Sequence, residues 1–239
     1  MNKKIVIGLS LSLLSSTAFS DTYAKVDVGV SRIQADSFKF HNPVGTGFTT
    51  NATSGNHIIL ENVSEDDDAS ALSIVIGHGS DDSGLRTELS YTFRNDATFT
   101  GTATFGVNDF NQELTVDSDS LMLFGYYDFK SSDTSTFYAG LGIGAAFNSA
   151  KGFQGANLGR NGYFPENDST EFAWGAAFGF STNISEKSTF EIKYNYIDLG
   201  FANSGTTDAS FAAVGMNADE RLESELFTQD FKVGLRFSF

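Results

Sequence analysis

The 239-residue chain has no cysteine, two prolines, three histidines and half as many basic residues (15) as acidic ones (30), for a formal charge of −15. Without cysteine there is no disulfide framework, no thiolate metal site or iron–sulfur cluster and no cysteine nucleophile. Three histidines leave little for imidazole chemistry. The deficit of Lys and Arg excludes a nucleic-acid partner, because a phosphate-binding surface needs a basic surplus. Beside these scarcities stand 24 Gly and 24 Phe. A chain that needs many turns yet keeps proline out of most of its length is what hydrogen-bonded β-structure demands.

Long hydrophobic runs are missing too. The N-terminus has Lys3 and Lys4, then an apolar stretch from Ile5 to Leu14, then small residues Ala18 and Ser20 before Asp21. That order predicts a cleaved secretory signal over residues 1–20 and a single domain over 21–239. Cleavage removes Lys3 and Lys4 and no acidic residue, so the mature chain carries a net charge of −17. Beyond Ser20 no apolar run reaches the roughly 18 residues of a membrane helix.

What is present instead is alternation. Ala24, Val26, Val28 and Val30 alternate with Lys25, Asp27, Gly29 and Ser31, the period-2 signature of a strand between two solvents. Leu72, Ile74 and Ile76 repeat it, and so do Leu85, Leu89, Tyr91 and Phe93, after the short turn Gly79 to Gly84. Two further hairpins follow, one through Lys130 to Ser135 and one through Asn183 to Ser188, and the last strand carries Phe231, Val233, Leu235, Phe237 and Phe239. Eight strands with short turns at one end and long connections at the other, 33–69, 95–117, 148–170 and 198–226, describe an all-β, antiparallel up-and-down barrel. Pro43 and Pro165 both fall in the long connections, so no strand is expected to hold a proline.

A barrel of this kind turns its apolar face either inward, as a soluble cup, or outward, to lipid. An eight-stranded lumen has room only for packed side chains or one small ligand, and the apolar faces carry Phe, Trp, Tyr, Leu and Ile on nearly every strand. The opposite faces carry glycines and charges of both signs: Lys25, Asp27, Arg86, Glu88, Glu191, Lys193, Asp230, Lys232 and Arg236. The charged set suits a narrow interior in which ion pairs neutralise one another. Lipid is therefore expected outside, with Tyr91, Phe93, Phe172, Trp174, Tyr194 and Tyr196 forming one aromatic girdle and Tyr127 and Phe129 part of the other.

The segments 120–129, 137–147, 172–185 with 189–200, and 231–239 resemble the fourth to eighth strands of the eight-stranded outer-membrane β-barrel family that includes the membrane domain of outer membrane protein A, the opacity proteins and the rickettsial-type surface antigens. The resemblance implies a fold and not an activity. It also implies that Phe239, with Phe231, Val233, Leu235 and Phe237 before it, is the signal read by the outer-membrane assembly machinery. A lipid-facing last strand would show the same pattern. The chain stops on that strand, so the peptidoglycan-gripping domain of outer membrane protein A is not expected here.

His41 and His57 lie in the first connection and His78 at the short-turn end, a membrane thickness away, so no catalytic cluster is expected. Gly140 to Gly144 lies within a strand and lacks nucleotide-loop spacing. Glu65 to Asp68 with Asp36 and Glu61, and Asp208, Asp219, Glu220, Glu223 and Glu225, read as a solvated acidic surface without the spacing of a calcium loop. The expectation is a Gram-negative outer-membrane protein without cofactor or metal. Its partners would be outer-membrane lipid and lipopolysaccharide, the assembly machinery, and host or surface ligands reached through adhesin-like connections. A small passive or gated porin is the alternative.

Overall fold

A computed structural model describes residues 22–41, 53–54, 57–80, 84–105, 108–130, 132–156, 162–206 and 220–239. The leader 1–20 and its cleavage point, Pro43, Asp208 and Asp219 lie outside the described residues.

Every element among the described residues is a strand: β1 (Thr22–His41), β2 (Thr53–Ser54), β3 (His57–Ile59), β4 (Asp66–Ser80), β5 (Leu85–Arg94), β6 (Ala97–Phe105), β7 (Asn108–Lys130), β8 (Ser135–Ala156), β9 (Gly162–Ser185), β10 (Ser188–Asn203) and β11 (Arg221–Ser238). The order β1-β4-β5-β7-β8-β9-β10-β11 closes antiparallel through β11 and β1 into a ring of eight. Closure leaves no edge strand in the ring, and it is the only way a sheet can satisfy its backbone in lipid.

Among the described residues the long connections are mostly strand. β7 has 23 residues, β8 22 and β9 24, whereas crossing a bilayer takes about 9–11. The surplus builds a second storey beyond the lipid-facing belt. β6 continues β5: from Thr92 to Ala97 the chain advances one residue further than β7 does from Ser120 to Val116, the extra residue of a β-bulge. On the other side β3 takes over from β4 as the neighbour of β1, pairing Lys39 with Ile59. The stretch after β3 joins β6 through the Glu61–Thr102 bridge and the 2.8 Å bond from Ser64 N to Thr100 O.

Pro165 lies within β9, contrary to the expectation that no strand holds a proline. The register passes from Ala150–Asn167 to Gly152–Phe164, so Pro165 and Glu166 together face Lys151 in a bulge, where a missing backbone N–H is tolerated.

Along the strands the inner and outer faces exchange polarity. On β1, Val26, Val28 and Val30 are about half exposed and face outward, then the outward residue becomes Arg32 and the buried ones Ile33 and Ala35. On β7, Leu121 and Leu123 face out, while beyond them Leu114 and Val116 are buried. On β11, Phe231 and Val233 face out, while Leu222 and Leu226 are buried. The pleat is unbroken across these steps, so what changes is the solvent: hydrocarbon around one storey, water around the other. Further along β1 a bulge between Asp36 and Lys39, with Ser37 at φ 56°, resets the phase and brings Phe38 and Phe40 inside.

Candidate functional site

The lumen of the lipid-belt storey is the concentration of chemistry in this molecule, and the strand pleat that turns Val26 and Val28 to lipid turns Lys25 and Asp27 into it. Lys25 is its hub. Its Nζ lies 2.8 and 2.9 Å from the two Glu88 carboxylate oxygens, 2.9 Å from Glu191 Oε2 and 3.8 Å from Asp27 Oδ2. Lys193 Nζ approaches Asp27 Oδ2 at 3.0 Å. Arg86 donates to Glu88 and lies 3.2 Å from Asp128 Oδ2, and Arg236 Nη1 stands 3.4 Å from Glu191 Oε1. Lys25, Asp27, Glu88, Glu191 and Lys193 are each at most 4 % exposed. Charges taken so far from water persist because each has partners of opposite sign at hydrogen-bond distance.

Aromatic rings frame this cluster. Tyr23 donates to Glu88 Oε1 at 2.9 Å and Tyr138 to Glu191 Oε2 at 3.2 Å. The Arg86 guanidinium sits 4.6 Å from the ring centre of Tyr126 and 4.5 Å from that of Tyr138, and Arg236 sits 4.9 Å from that of Tyr23, distances at which a cation is attracted to a ring face. The rings fit because their neighbours are glycines. A Cβ on Gly77 would enter the Tyr23 ring, on Gly140 the Tyr126 ring, on Gly142 the Phe124 ring and on Gly179 the Tyr138 ring.

A second ionic layer lies where the two storeys meet. Arg94 Nη2 is 3.0 Å from Asp230 Oδ2, which also takes Lys232 Nζ at 2.7 Å. Ser31 and Thr228 donate to Asp230 Oδ1 at 2.6 and 2.8 Å. The remaining Arg94 nitrogens reach Ser31, the Ser118 carbonyl and Ser120. Above this layer the interior becomes apolar, with Ile33, Phe38, Phe40, Ile58, Leu60, Phe99, Leu114, Val116, Phe164, Leu199, Leu222 and Leu226 in one buried cluster.

The structure thus brings Lys25, Asp27, Arg86, Glu88, Glu191, Lys193 and Arg236 into one cluster and Asp230 and Lys232 into another. Arg94, Tyr23, Tyr126 and Tyr138 belong to these clusters and were not among the network residues named from sequence. Alternation places Arg94 on the polar face of β5, but nothing in the sequence pairs it with Asp230. Tyr126 and Tyr138 carry no charge to mark them, and their glycine partners are on adjacent strands.

The aromatic and last-strand residues marked from sequence lie on the outside, whereas Glu220, expected on a solvated acidic surface, is buried at 3 % exposure where β11 begins. Phe93, Phe172 and Trp174 are exposed near the upper limit of the lipid belt, with Tyr91, Tyr194 and Tyr196 partly exposed, and Tyr127 and Phe129 are exposed towards the short turns. Phe231, Val233, Leu235, Phe237 and Phe239 are exposed along β11. The three histidines are not brought together. His41 is in register with His57 at the far end of β1, and His78 lies opposite Thr22 at the near end. No group of three or more His, Asp or Glu side chains suited to holding a metal occurs among the described residues.

No family model matches the sequence, and no curated protein matches it. Solved structures do. The outer membrane protein OprG from Pseudomonas aeruginosa is 14 % identical and superposes with a TM-score of 0.54 over 92 % of this chain and 98 % of that one. Neisserial surface protein A gives 0.48 at 14 % identity, over 92 % and 98 %. The outer membrane protease OmpT from Escherichia coli gives 0.49 at 9 % identity, over 95 % and 99 %. At such identity the likeness to OprG is a likeness of fold: an outer-membrane type of up-and-down β-barrel.

Proposed function

We propose that the protein resides in the bacterial outer membrane as a structural and surface-interacting barrel, neither an enzyme nor an open pore. One observation carries this reading: the interior is filled twice, by the ionic layers and by the apolar core above them. A permeant ion would have to break the Lys25–Glu88–Glu191 contacts and then cross a hydrocarbon-like plug, which opposes conduction at both levels. The belt of outward Val, Leu, Ile and Phe supports contact with membrane lipid, and the exposed Asp36, Asp66 and Asp68 on the upper storey support a role at the membrane's outer surface.

The partners consistent with this reading are lipid and lipopolysaccharide around the wall, the assembly machinery at the last strand, and a surface or host ligand at the far end of the upper storey. The purified, refolded protein should migrate differently on gels before and after boiling. It should also give no steps above background in planar bilayers, whereas regular unitary steps would replace this reading with that of a small gated channel.

A further inference from the structure

Beyond the lipid belt the outer wall meets water, and on β7 it is polar: Asn111, Glu113, Thr115 and Asp117 face out between the buried Gln112, Leu114 and Val116. Beside that polar strand stand two aromatic rings. Phe153 of β8 and Tyr163 of β9 are register partners on the outer face. Tyr163 is 66 % exposed and Phe153 partly so, while Gly152, Gln154 and Phe164 next to them in the pleat are buried. The ring centres lie 5.0 Å apart with their planes at 48°. Phe153 leans over Gly155, where a Cβ would come within 3.2 Å of its ring. Scattered exposed apolar residues are ordinary, but a paired aromatic surface rimmed by polar groups marks a place of contact.

Its height above the membrane says what it meets. Ala145 of β8 is level with the lipid-facing Leu121. From there to Phe153 the strand rises about 27 Å along its length, or roughly 20 Å above the hydrocarbon at the usual barrel tilt. The rings face sideways from the wall. A glycolipid whose acyl chains lie against the belt keeps its phosphates near the membrane surface, and its outer sugars stand alongside these rings.

The rim fits such a neighbour. Glu113 is in register with Phe153 on the β7 side, Lys151 lies one pleat repeat below it, and Glu166 shares the β9 bulge opposite Lys151. All three are exposed. A pyranose has a C–H face that packs on an aromatic ring and hydroxyls that exchange hydrogen bonds with carboxylate, amide and ammonium groups. Glu113, Asp117, Glu166 and Asp168 surround the single cation Lys151 on this face, which disfavours phosphorylated or acidic sugars and suits uncharged ones.

We propose that Phe153 and Tyr163, rimmed by Glu113, Lys151 and Glu166, form a sugar-stacking platform that holds an uncharged hexose of a neighbouring outer-leaflet glycolipid. This rests on the surface-barrel reading above and names the chemistry of one of its partners.

The test is saturation-transfer NMR on the protein refolded in a sugar-free detergent. The probe is a lipid-free core oligosaccharide released from lipopolysaccharide, used with its phosphates and after their enzymatic removal. Irradiating aromatic protons should transfer saturation to hexose C–H protons, and at least as strongly for the dephosphorylated probe. Phe153→Ala with Tyr163→Ala should weaken binding about tenfold, and Tyr163→Trp should retain it. Tyr163→Ala alone removes an outward ring and serves if the double variant fails to fold, as judged by gel migration before and after boiling. No transfer in the parent, unchanged transfer in the folded ring variants, or a signal that vanishes with the phosphates overturns the proposal. Because the sugar is free and the barrel is in detergent, such a result leaves the membrane placement standing, and gel migration and outer-membrane fractionation decide that separately.

Discussion

Arg94 and Asp230, 136 residues apart in the chain, form a fully buried ion pair at 3.0 Å that ties β5 to β11 across the lumen. The pair is wholly withdrawn from solvent, and its remaining hydrogen-bonding capacity is spent on Ser31, Ser118, Ser120, Thr228 and Lys232. Asp230 is the shared anion of Arg94 and Lys232, so its loss should cost far more than the loss of Arg94. Asp230→Leu strands two buried cations and is expected to destabilise the barrel by about 3–5 kcal/mol, whereas Arg94→Met leaves Asp230 paired with Lys232 and should cost less, and adding it to Asp230→Leu should recover part of the loss. Urea unfolding in lipid vesicles, followed by Trp174 fluorescence, measures the cycle, and additive losses would count against a specific pair.

Lys25 should govern leakage. Its ammonium is shared by Glu88 and Glu191, so Lys25→Ala leaves carboxylates facing one another and drives water into the cluster. Brief cation-favouring openings are expected in planar bilayers for this variant and not for the parent protein. A folded but silent Lys25→Ala protein would show that the apolar upper storey seals the lumen unaided.

Glycine tolerance should follow the ring partners. A methyl at Gly142 collides with Phe124 and one at Gly179 with Tyr138, whereas Gly125 has open space around its missing Cβ. Gly142→Ala and Gly179→Ala are expected to lose about 1–3 kcal/mol, and Gly125→Ala to stay within about 0.5 kcal/mol of the parent. Equal losses at all three in the same unfolding assay would refute the packing account.

The last residue separates recognition from packing. Phe239 is 62 % exposed at the end of β11, so deleting it should leave refolding into detergent or vesicles nearly unchanged. In cells the same deletion should sharply lower the amount of heat-modifiable barrel in outer-membrane fractions, if the terminal aromatic is read during assembly. Equal effects in both settings would reduce Phe239 to one more lipid-facing side chain.

The lipid-belt storey was open to reading from sequence because each strand repeats one rule: alternate residues meet hydrocarbon, and the rest are glycine, polar or charged. The upper storey escaped because the rule inverts there. On β1 the lipid-facing Val26, Val28 and Val30 have even numbers, while the next interior apolar residues, Ile33 and Ala35, have odd ones. A search for a continuing stripe stops at Val30 and takes the rest for a connection. Within the lumen, alternation reveals who faces inward but not who touches whom. Lys25 meets Glu88 and Glu191 through strand order and shear, which pair residues 63 and 166 positions apart. Bulges are the other hidden element, and nothing local announces that Pro165 and Glu166 share one place opposite Lys151.

The exchange of faces also sets how deep the molecule can sit. Beyond Val30, Leu72 and Leu121 the outward side chains become Arg32, Asp68 and Asp119. Sinking by one pleat repeat of about 7 Å would push that charged collar into hydrocarbon, and rising by the same amount would lift the Phe129, Phe137 and Phe237 end out of place. The wall thus carries its own waterline, and any partner approaching from outside meets the upper storey at a fixed height above the lipid.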